Sequence, residues 1–200
     1  GGQGRVTLIE SITQSCDVYY YELAQRVGIE AISEMARRFG CGVRHDLPLS
    51  GIAEGLAPTM QWKIQNRGAA WVVGDTLNAS IGQGFVLTSP LQLAVMTARL
   101  ATGREIVPSI IRSIDGISQL PPPAAEMGFD PQHMEQLHRG MWNVNNDRRG
   151  TAYGSRVEVS AHGIAGKTGT SQVRNISAAE RAAGVIRNED LPWERRDHAL

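Results

Sequence analysis

The chain has 200 residues, and its 20 Lys or Arg side chains balance 20 Asp or Glu side chains. This balance argues against nucleic acid or an anionic membrane surface as the main partner, because such partners select a basic excess. Hydrophobic residues make up 42% and charged residues 20%, which excludes wholesale disorder and allows a buried core. Only Lys63 and Lys167 are lysines, so each is a candidate for a specific role.

Residues 6–39 show apolar side chains at helical spacing, with breaks at 15–17 and at Gly28 and a helix stop at Gly40. Residues 41–58 contain closely spaced Gly and Pro without any period and are predicted to form a loop that lies against the body. A short helix is predicted at 60–67. The glycines between 74 and 84 indicate a turn region after it.

Ser89, Pro90 and Gln92 form a helix start with a capping box, and the helix is predicted to run to about Ala101. Four further predictions complete the chain: an edge strand at 105–114, a helix from Asp130, a strand at 163–173 and a polar loop at 174–197. Pro121, Pro122 and Pro123 form a spacer. These elements predict an α+β fold, with a helical body and one or two strands of an antiparallel sheet whose other strands lie outside this sequence.

The cysteines and the apolar runs exclude further classes. Cys16 and Cys41 form no C-x-x-C pair, so a zinc ribbon or a dense disulfide scaffold is excluded. We expect no metal site and no cofactor from the residues present; Cys16 is either a small core residue or a ligand whose partners lie upstream. No apolar run approaches the ~18 residues of a membrane span. The chain starts with Gly1 and Gly2 rather than Met, and we expect it to be a piece of a longer protein.

The sharpest local motif is Lys167-Thr168-Gly169 followed by Thr170. An ammonium beside two hydroxyls is a suitable receptor for a carboxylate, and Gly169 allows close approach of a ligand or another backbone. A P-loop is excluded because Ala161, five positions before Gly166, stands where its first glycine belongs. Viewed alone, the motif is equally compatible with a strand that carries a solvated lysine.

Two other segments stand out before this motif. Ser15-Cys16-Asp17 lies at a helix break, where Ser and Asp are also ordinary capping residues. The segment 74–94 combines a Gly82-Gln83-Gly84 turn with a capped helix, and by itself it is a glycine-rich loop leading into a helix. Each of these signals is weak when taken separately.

Together, in this order, the three segments resemble the transpeptidase domain of class B penicillin-binding proteins, in particular the elongation-type penicillin-binding protein 2. These domains carry S-x-x-K, then S-x-N or S-x-D, then K-T-G around one cleft. Ser15-Cys16-Asp17 is similar to the second motif, and Lys167-Thr168-Gly169 is similar to the third; the resemblance covers about residues 1–175. It implies the penicillin-binding, β-lactamase-like fold, with residues 1–200 as part of a single domain.

The resemblance also implies roles for individual residues in cross-linking D-alanyl-D-alanine stem peptides by an acyl-serine mechanism. Ser15 would relay a proton toward the leaving amine, and Asp17 would hold the cleft wall and hydrogen-bond the substrate amide. Lys167 would polarise Ser15. The Thr168 and Thr170 hydroxyls would bind the terminal carboxylate beside Gly169, and the Thr170 N–H would be one oxyanion donor. β-Lactams would bind through the same groups.

One motif of the family is missing, because no lysine here has a serine three positions earlier: Met60 precedes Lys63 and Ile164 precedes Lys167. The nucleophile and its lysine are expected upstream of Gly1, and the strand after K-T-G is expected to begin near His198 and to be cut off, so that this sequence lacks it. The piece alone is therefore expected to be inert. Its parent would act on the periplasmic side of the bacterial inner membrane, anchored by an N-terminal helix and assisted by cell-wall elongation proteins, with no nucleic-acid partner.

Two alternatives remain open from the sequence. A serine β-lactamase shares the motif order, although the long 41–58 loop and the spacing of 152 residues between Ser15 and Lys167 fit the transpeptidase better. A non-catalytic penicillin-sensing module would keep the fold but lack S-x-x-K upstream. A His-Asp-Ser protease finds no support because the chain has no G-x-S-x-G segment.

Overall fold

The computed structural model describes residues 4–157, 163–172 and 178–199. Helices dominate this part of the chain, and the strands in it are short. The helices are α1 (Leu8–Thr13), α2 (Asp17–Val27), α3 (Ile29–Arg38), α4 (Met60–Arg67), α5 (Val73–Ser80), α6 (Pro90–Thr102), α7 (Pro131–Asn146) and α8 (Ala178–Ala183). The strands are β1 (Ser113–Ile114), β2 (Ile117–Ser118), β3 (Thr170–Ser171) and β4 (His198–Ala199). Within the described ranges, no helix is long and apolar enough to cross a membrane.

The first three helices follow the predicted breaks. A capping box opens α1, in which the Glu10 N–H donates to Thr7 Oγ1 and the Thr7 N–H donates to Glu10 Oε2. The chain leaves α1 at residues 14–16, and α2 begins directly afterwards. Gly28, with φ of +81°, separates α2 from α3. The structure therefore confirms both breaks.

The core lies where α1 packs on α7 and α2 packs on α5. Val144 of α7 is fully buried, and Ile12 of α1 lies against Gly140. A Cβ atom at Gly140 would come within 2.8 Å of Ile12 Cδ1, so this glycine allows the two helices to approach closely. The packing of α1 on α7 fixes the segment that follows α1.

The predicted capping box of α6 is present, and one of its members also anchors the 41–58 loop. Gln92 is fully buried; its side chain accepts from the Ser89 N–H and donates to the carbonyls of Val43 and Glu54. The loop contains no regular helix or strand, as predicted, and two of its carbonyls are satisfied by one side chain of α6. This arrangement holds the loop against the helical body.

The glycine-rich segment 74–84 was predicted as a turn, and this is wrong for its first part, which forms α5. Asp75 explains the difference, because its carboxylate accepts from the Val72 N–H at the start of α5 and pairs with Lys63 of α4 at 2.5 Å. The tertiary ion pair thus stabilises a helix that composition alone disfavours. Only Gly82 and Gly84, after α5, take positive φ values in a turn.

The predicted edge strand at 105–114 is also wrong over most of its length. Only Ser113–Ile114 is a strand, and it pairs with Ile117–Ser118 through a hairpin whose Asp115 and Gly116 both have positive φ. This is the two-residue turn that an Asp-Gly pair favours. The β-branched residues before it have no partner strand in the described part of the chain, and a lone strand is not stable.

In the C-terminal segment, the observed strand is much shorter than the predicted one. Of the strand predicted at 163–173, Thr170–Ser171 forms β3, residues 163–169 are extended without regular pairing, and Val173 lies outside the described residues. The described part of the predicted polar loop contains α8 and two short 3-10 helices, Asn188–Asp190 and Trp193–Arg195. β4 pairs antiparallel with β3, at the position where the strand after K-T-G was expected to begin and to be cut off.

Candidate active site

Ser15 lies at the sharp turn between α1 and α2. Its φ of +52° is in the left-handed region, which costs a non-glycine residue about 1–2 kcal/mol. The turn is held by the Ser15 N–H donating to the Ile12 carbonyl and by the Cys16 N–H donating to the Ser11 carbonyl. A serine is thereby kept in a strained conformation at the start of α2, and strain of this kind concentrates at functional sites.

The structure brings Lys167 into direct contact with Ser15, 152 positions earlier in the chain. The Lys167 ammonium donates to Ser15 Oγ at 2.8 Å and to the Thr168 carbonyl at 2.9 Å. A charged donor at this distance makes one of the stronger hydrogen bonds in proteins. Ser15 and Lys167, the two side chains at the centre of the sequence argument, are therefore neighbours.

The environment of the Lys167 ammonium changes its acidity. Burial of the ammonium lowers the pKa of Lys167 from its ordinary value of 10.5, and the negative charge of Asp17 partly opposes this shift. Lys167 as a whole residue is exposed, so the desolvation concerns the ammonium against the Ser15 turn rather than the stem. The Asp17 carboxylate therefore acts electrostatically on the Lys167 ammonium beside Ser15.

Asp17 is the first residue of α2 and is exposed. Together with Ser15 it lines an open cavity of about 770 Å³ on the surface of α2, whose other lining residues include Tyr19, Glu22 and Arg26. The cavity reaches Ser15 from the side of α2. A carboxylate at a helix N-terminus is also favoured by the helix dipole.

The segment that carries Lys167 is held by the end of α7. The Gly166 N–H donates to the Met141 carbonyl at 3.1 Å, and Asn146 Nδ2 donates to the Ile164 carbonyl at 3.0 Å. These two bonds hold residues 164–166, which directly precede Lys167, against α7. Because α7 also packs on α1, the same helix supports both the serine turn and the lysine segment.

Thr151 links the Lys167 segment to the end of α1. It was not identified from the sequence. Its hydroxyl shares a hydrogen bond of 2.9 Å with the Thr168 hydroxyl, and its N–H donates to the carbonyl of Thr13, which lies just before the Ser15 turn. Thr168 is thus placed beside Lys167 with its hydroxyl engaged. A Gly-Thr pair after a helix gives no sequence signal for such a contact.

Gly169 and Thr170 follow on the exposed side of the site. Thr170 belongs to β3, which pairs with β4 on one edge. Its carbonyl accepts from Gln83 Nε2 at 2.8 Å, so the Gly82-Gln83-Gly84 turn also reaches the site. The structure therefore brings Ser15, Lys167 and Thr168 together, with Thr170 following in β3 and Asp17 at the adjoining cavity. In the described part of the chain, no three His, Cys, Asp or Glu residues are grouped to hold a metal ion.

Packed helices, short antiparallel strand pairs and a serine turn in contact with a K-T-G segment define the class of this protein. The chain belongs to the family of the penicillin binding protein transpeptidase domain, whose model matches residues 1–184. This confirms the resemblance predicted from the three motifs and the predicted fold class.

Individual members of this family resemble the chain over most or all of its length. The chain is 34% identical over its whole length to the peptidoglycan D,D-transpeptidase MrdA of Acinetobacter baumannii and 31% identical to the MrdA of Escherichia coli. Among solved structures, it matches Pseudomonas aeruginosa PBP2 in complex with WCK 5153 with a TM-score of 0.77, at 38% identity over 84% of this chain and 39% of that one. The complex of Helicobacter pylori PBP2 with MreC matches with a TM-score of 0.80, at 31% identity over 99% of this chain and 33% of that one.

The chain spans about a third of the length of the curated relatives it matches, 29% of the Acinetobacter protein and 32% of the E. coli protein. The matched third holds the Ser15 and Lys167 motifs. The serine nucleophile of the family's S-x-x-K motif has no counterpart among these 200 residues.

Proposed function

We propose that this chain is part of a serine-type peptidoglycan D,D-transpeptidase that cross-links D-alanyl-D-alanine stem peptides through an acyl-serine intermediate during cell-wall elongation. The observation that carries the proposal is the 2.8 Å hydrogen bond from the Lys167 ammonium to Ser15 Oγ. Transpeptidation needs a proton path to the leaving amine, and a hydroxyl polarised by an ammonium supplies one.

The proposed first step forms an ester between a serine nucleophile and the carbonyl of the penultimate D-alanine, and the terminal D-alanine leaves as its amine. The nucleophile and its lysine come from an S-x-x-K segment that this sequence does not contain. Ser15 passes the nucleophile's proton to the leaving nitrogen. An acceptor amine of a second stem peptide then attacks the ester, which restores the serine and forms the cross-link.

The residues around Lys167 have distinct roles in this proposal. The ammonium stabilises the Ser15 hydroxyl as it gives up and regains its proton, and it attracts the carboxylate of the terminal D-alanine. The Thr168 and Thr170 hydroxyls bind that carboxylate, and Gly169 leaves room for it. The Asp17 carboxylate holds the cleft wall and accepts a hydrogen bond from the substrate amide.

The position of Thr170 supports a strand-like mode of substrate binding. β3 pairs with β4 on one edge, and an extended peptide can add to the other edge through main-chain hydrogen bonds. In this mode the Thr170 N–H is one oxyanion donor for the tetrahedral intermediate, and a second donor comes from the nucleophile's own N–H. A β-lactam enters by the same route and leaves the serine acylated.

We infer the partners and the location of the whole protein by analogy with its relatives. H. pylori PBP2 forms a complex with MreC, and we infer that the protein containing this chain works with cell-wall elongation proteins. Stem peptides lie outside the cytoplasm, so the domain acts on the periplasmic side of the inner membrane and is anchored by an N-terminal helix. Residues 1–200 are part of a single transpeptidase domain.

The test is acylation by a fluorescent penicillin. The full-length protein is expected to form a labelled band that survives denaturation, whereas residues 1–200 alone are expected to remain unlabelled. A labelled band from residues 1–200 would contradict the assignment of the nucleophile to another segment. Slow release of the label supports a transpeptidase, and rapid nitrocefin hydrolysis by the full-length protein would instead support a β-lactamase.

A further inference from the structure

We propose that Gln83 is a positioning residue that fixes the Thr170 peptide group and thereby orients the oxyanion donor of the site. The proposal rests on the function proposed above and extends it to a residue outside the S-x-x-K, S-x-D and K-T-G motifs. Gln83 Nε2 donates to the Thr170 carbonyl at 2.8 Å, although the two residues are 87 positions apart. This hydrogen bond ties the turn after α5 to β3, the strand that follows the K-T-G segment.

The turn that presents Gln83 is built to hold one conformation. The Gln83 N–H donates to the Asn78 carbonyl at 2.9 Å, and the Gly82 N–H donates to the Ala79 carbonyl at 3.0 Å. Gly84 has φ of +72°, and a Cβ atom there would come within 3.1 Å of Asn78 Cβ. The turn therefore closes on the end of α5, and a side chain at position 84 would both strain and crowd it.

Aromatic packing fixes the other end of the turn. The Phe85 ring lies 5.3 Å from the Trp62 ring and 6.2 Å from the Trp71 ring, measured between centroids. The Lys63–Asp75 ion pair lies beside these rings, with the Lys63 ammonium 5.7 Å from the Phe85 centroid. Gln83 thus extends from a turn held by main-chain hydrogen bonds on one side and by half-buried aromatic rings on the other.

The consequence for the site follows from strand geometry. The N–H and C=O of one strand residue point to the same edge. A hydrogen bond that holds the Thr170 carbonyl toward Gln83 therefore also sets the direction of the Thr170 N–H, which is the proposed oxyanion donor. β4 pairs with the opposite edge of β3. Among the described side chains, Gln83 is the one that restrains Thr170 from the cleft side. Donors of this kind act only when they are oriented before the reaction.

The variant Gln83→Glu in the full-length protein tests this role. At neutral pH its carboxylate cannot donate and repels the Thr170 carbonyl, so we expect the acylation rate constant with penicillin to fall about tenfold, within the range for disturbed oxyanion donors. The dissociation constant of the initial penicillin complex is expected to change less than about threefold. At acid pH the protonated carboxyl can donate again, and the ratio of wild-type to variant rate constants is expected to fall toward one as the pH is lowered.

Gln65→Glu is the matched control, because Gln65 is exposed on α4 and the substitution introduces the same charge change. Gln83→Met, which keeps the length but has no donor, is expected to lose rate without acid recovery. Two outcomes would overturn the proposal. In the first, Gln83→Glu is acylated within twofold of the wild-type rate at neutral pH. In the second, Gln83→Glu loses rate without recovery at acid pH, and Gln65→Glu shows the same loss.

Hydrogen exchange separates this inference from the proposed function. Faster amide exchange across residues 168–172 in Gln83→Glu and Gln83→Met than in the wild type and Gln65→Glu supports the anchoring role even if penicillin does not react with the wild-type protein. Unchanged exchange in that segment overturns it. Failure of the wild type to react with penicillin counts against the proposed function alone.

Discussion

Replacing Lys167 with alanine in the full-length protein removes the ammonium that lies 2.8 Å from Ser15 Oγ. A hydrogen bond from a charged group contributes about 1.5–3 kcal/mol, and the positive charge at the carboxylate site is lost as well. Removal of one positioned electrostatic group typically lowers a rate by about 100-fold or more. We therefore expect Lys167→Ala to lower the rate of acylation by penicillin at least about 100-fold.

The assay is the time course of covalent labelling by a fluorescent penicillin at saturating concentration. Lys167 is exposed as a residue, so the substitution is expected to change the free energy of unfolding by no more than about 0.5 kcal/mol. Arg112→Ala, which removes an exposed cation near the 113–118 hairpin, serves as the control and should label at the wild-type rate. Labelling of a folded Lys167→Ala within tenfold of the wild type would refute the role of the ammonium.

Three further predictions concern strain, pH and the ion pair. Ser15→Gly and Ser15→Ala should both lose acylation, but the glycine variant should be more stable by about 1 kcal/mol because φ at position 15 is +52°. Burial lowers the pKa of Lys167 and the Asp17 charge raises it again, so Asp17→Asn should move the alkaline loss of acylation to lower pH. Lys63→Met should cost about 1–3 kcal/mol of unfolding free energy, because it leaves the half-buried Asp75 carboxylate without its cation.

Each of these predictions has a distinct control or contrary outcome. Equal stability of the two Ser15 variants in denaturant titration would show that the turn is not strained. An alkaline limb that stays in place in Asp17→Asn would remove Asp17 from the electrostatics of the site. For the ion pair, Glu126→Gln breaks the exposed contact with Arg104 and should cost less than about 0.5 kcal/mol; a similar small loss in Lys63→Met would mean that the Lys63–Asp75 pair is effectively solvated.

The shifted pKa of Lys167 also links stability to pH. The folded protein binds the Lys167 proton less tightly than the unfolded chain does. Below the pKa that Lys167 has in the folded protein, its protonation therefore disfavours the folded state. Between the folded pKa and the ordinary value of 10.5, the free energy of unfolding is expected to rise with pH. In Lys167→Ala this rise should be absent, which chemical denaturation at several alkaline pH values can measure.

The elements that could be predicted from sequence depend on contacts between near neighbours. The capping box at Ser89, the breaks at residues 15–17 and Gly28, and the helix at 60–67 are decided by residues within four positions of one another. The family could be predicted as well, because its motifs are short and their order is specific. Viewed alone, Lys167-Thr168-Gly169 was equally compatible with a solvated lysine, and only the order of the motifs favoured a role in chemistry.

The prediction failed where distant contacts overrode local preference. The helix α5 forms in a glycine-containing segment because Asp75 pairs with Lys63 on another helix, whereas the β-branched run at 105–114 lacks a partner strand and stays largely irregular. The hydrogen bonds of Thr151 and Gln83 to the lysine segment depend on how α7 and the turn after α5 pack. Local sequence therefore set the helix ends and the reactive groups, and tertiary packing alone decided which of these groups meet, because chain separation carries no information about distance in space.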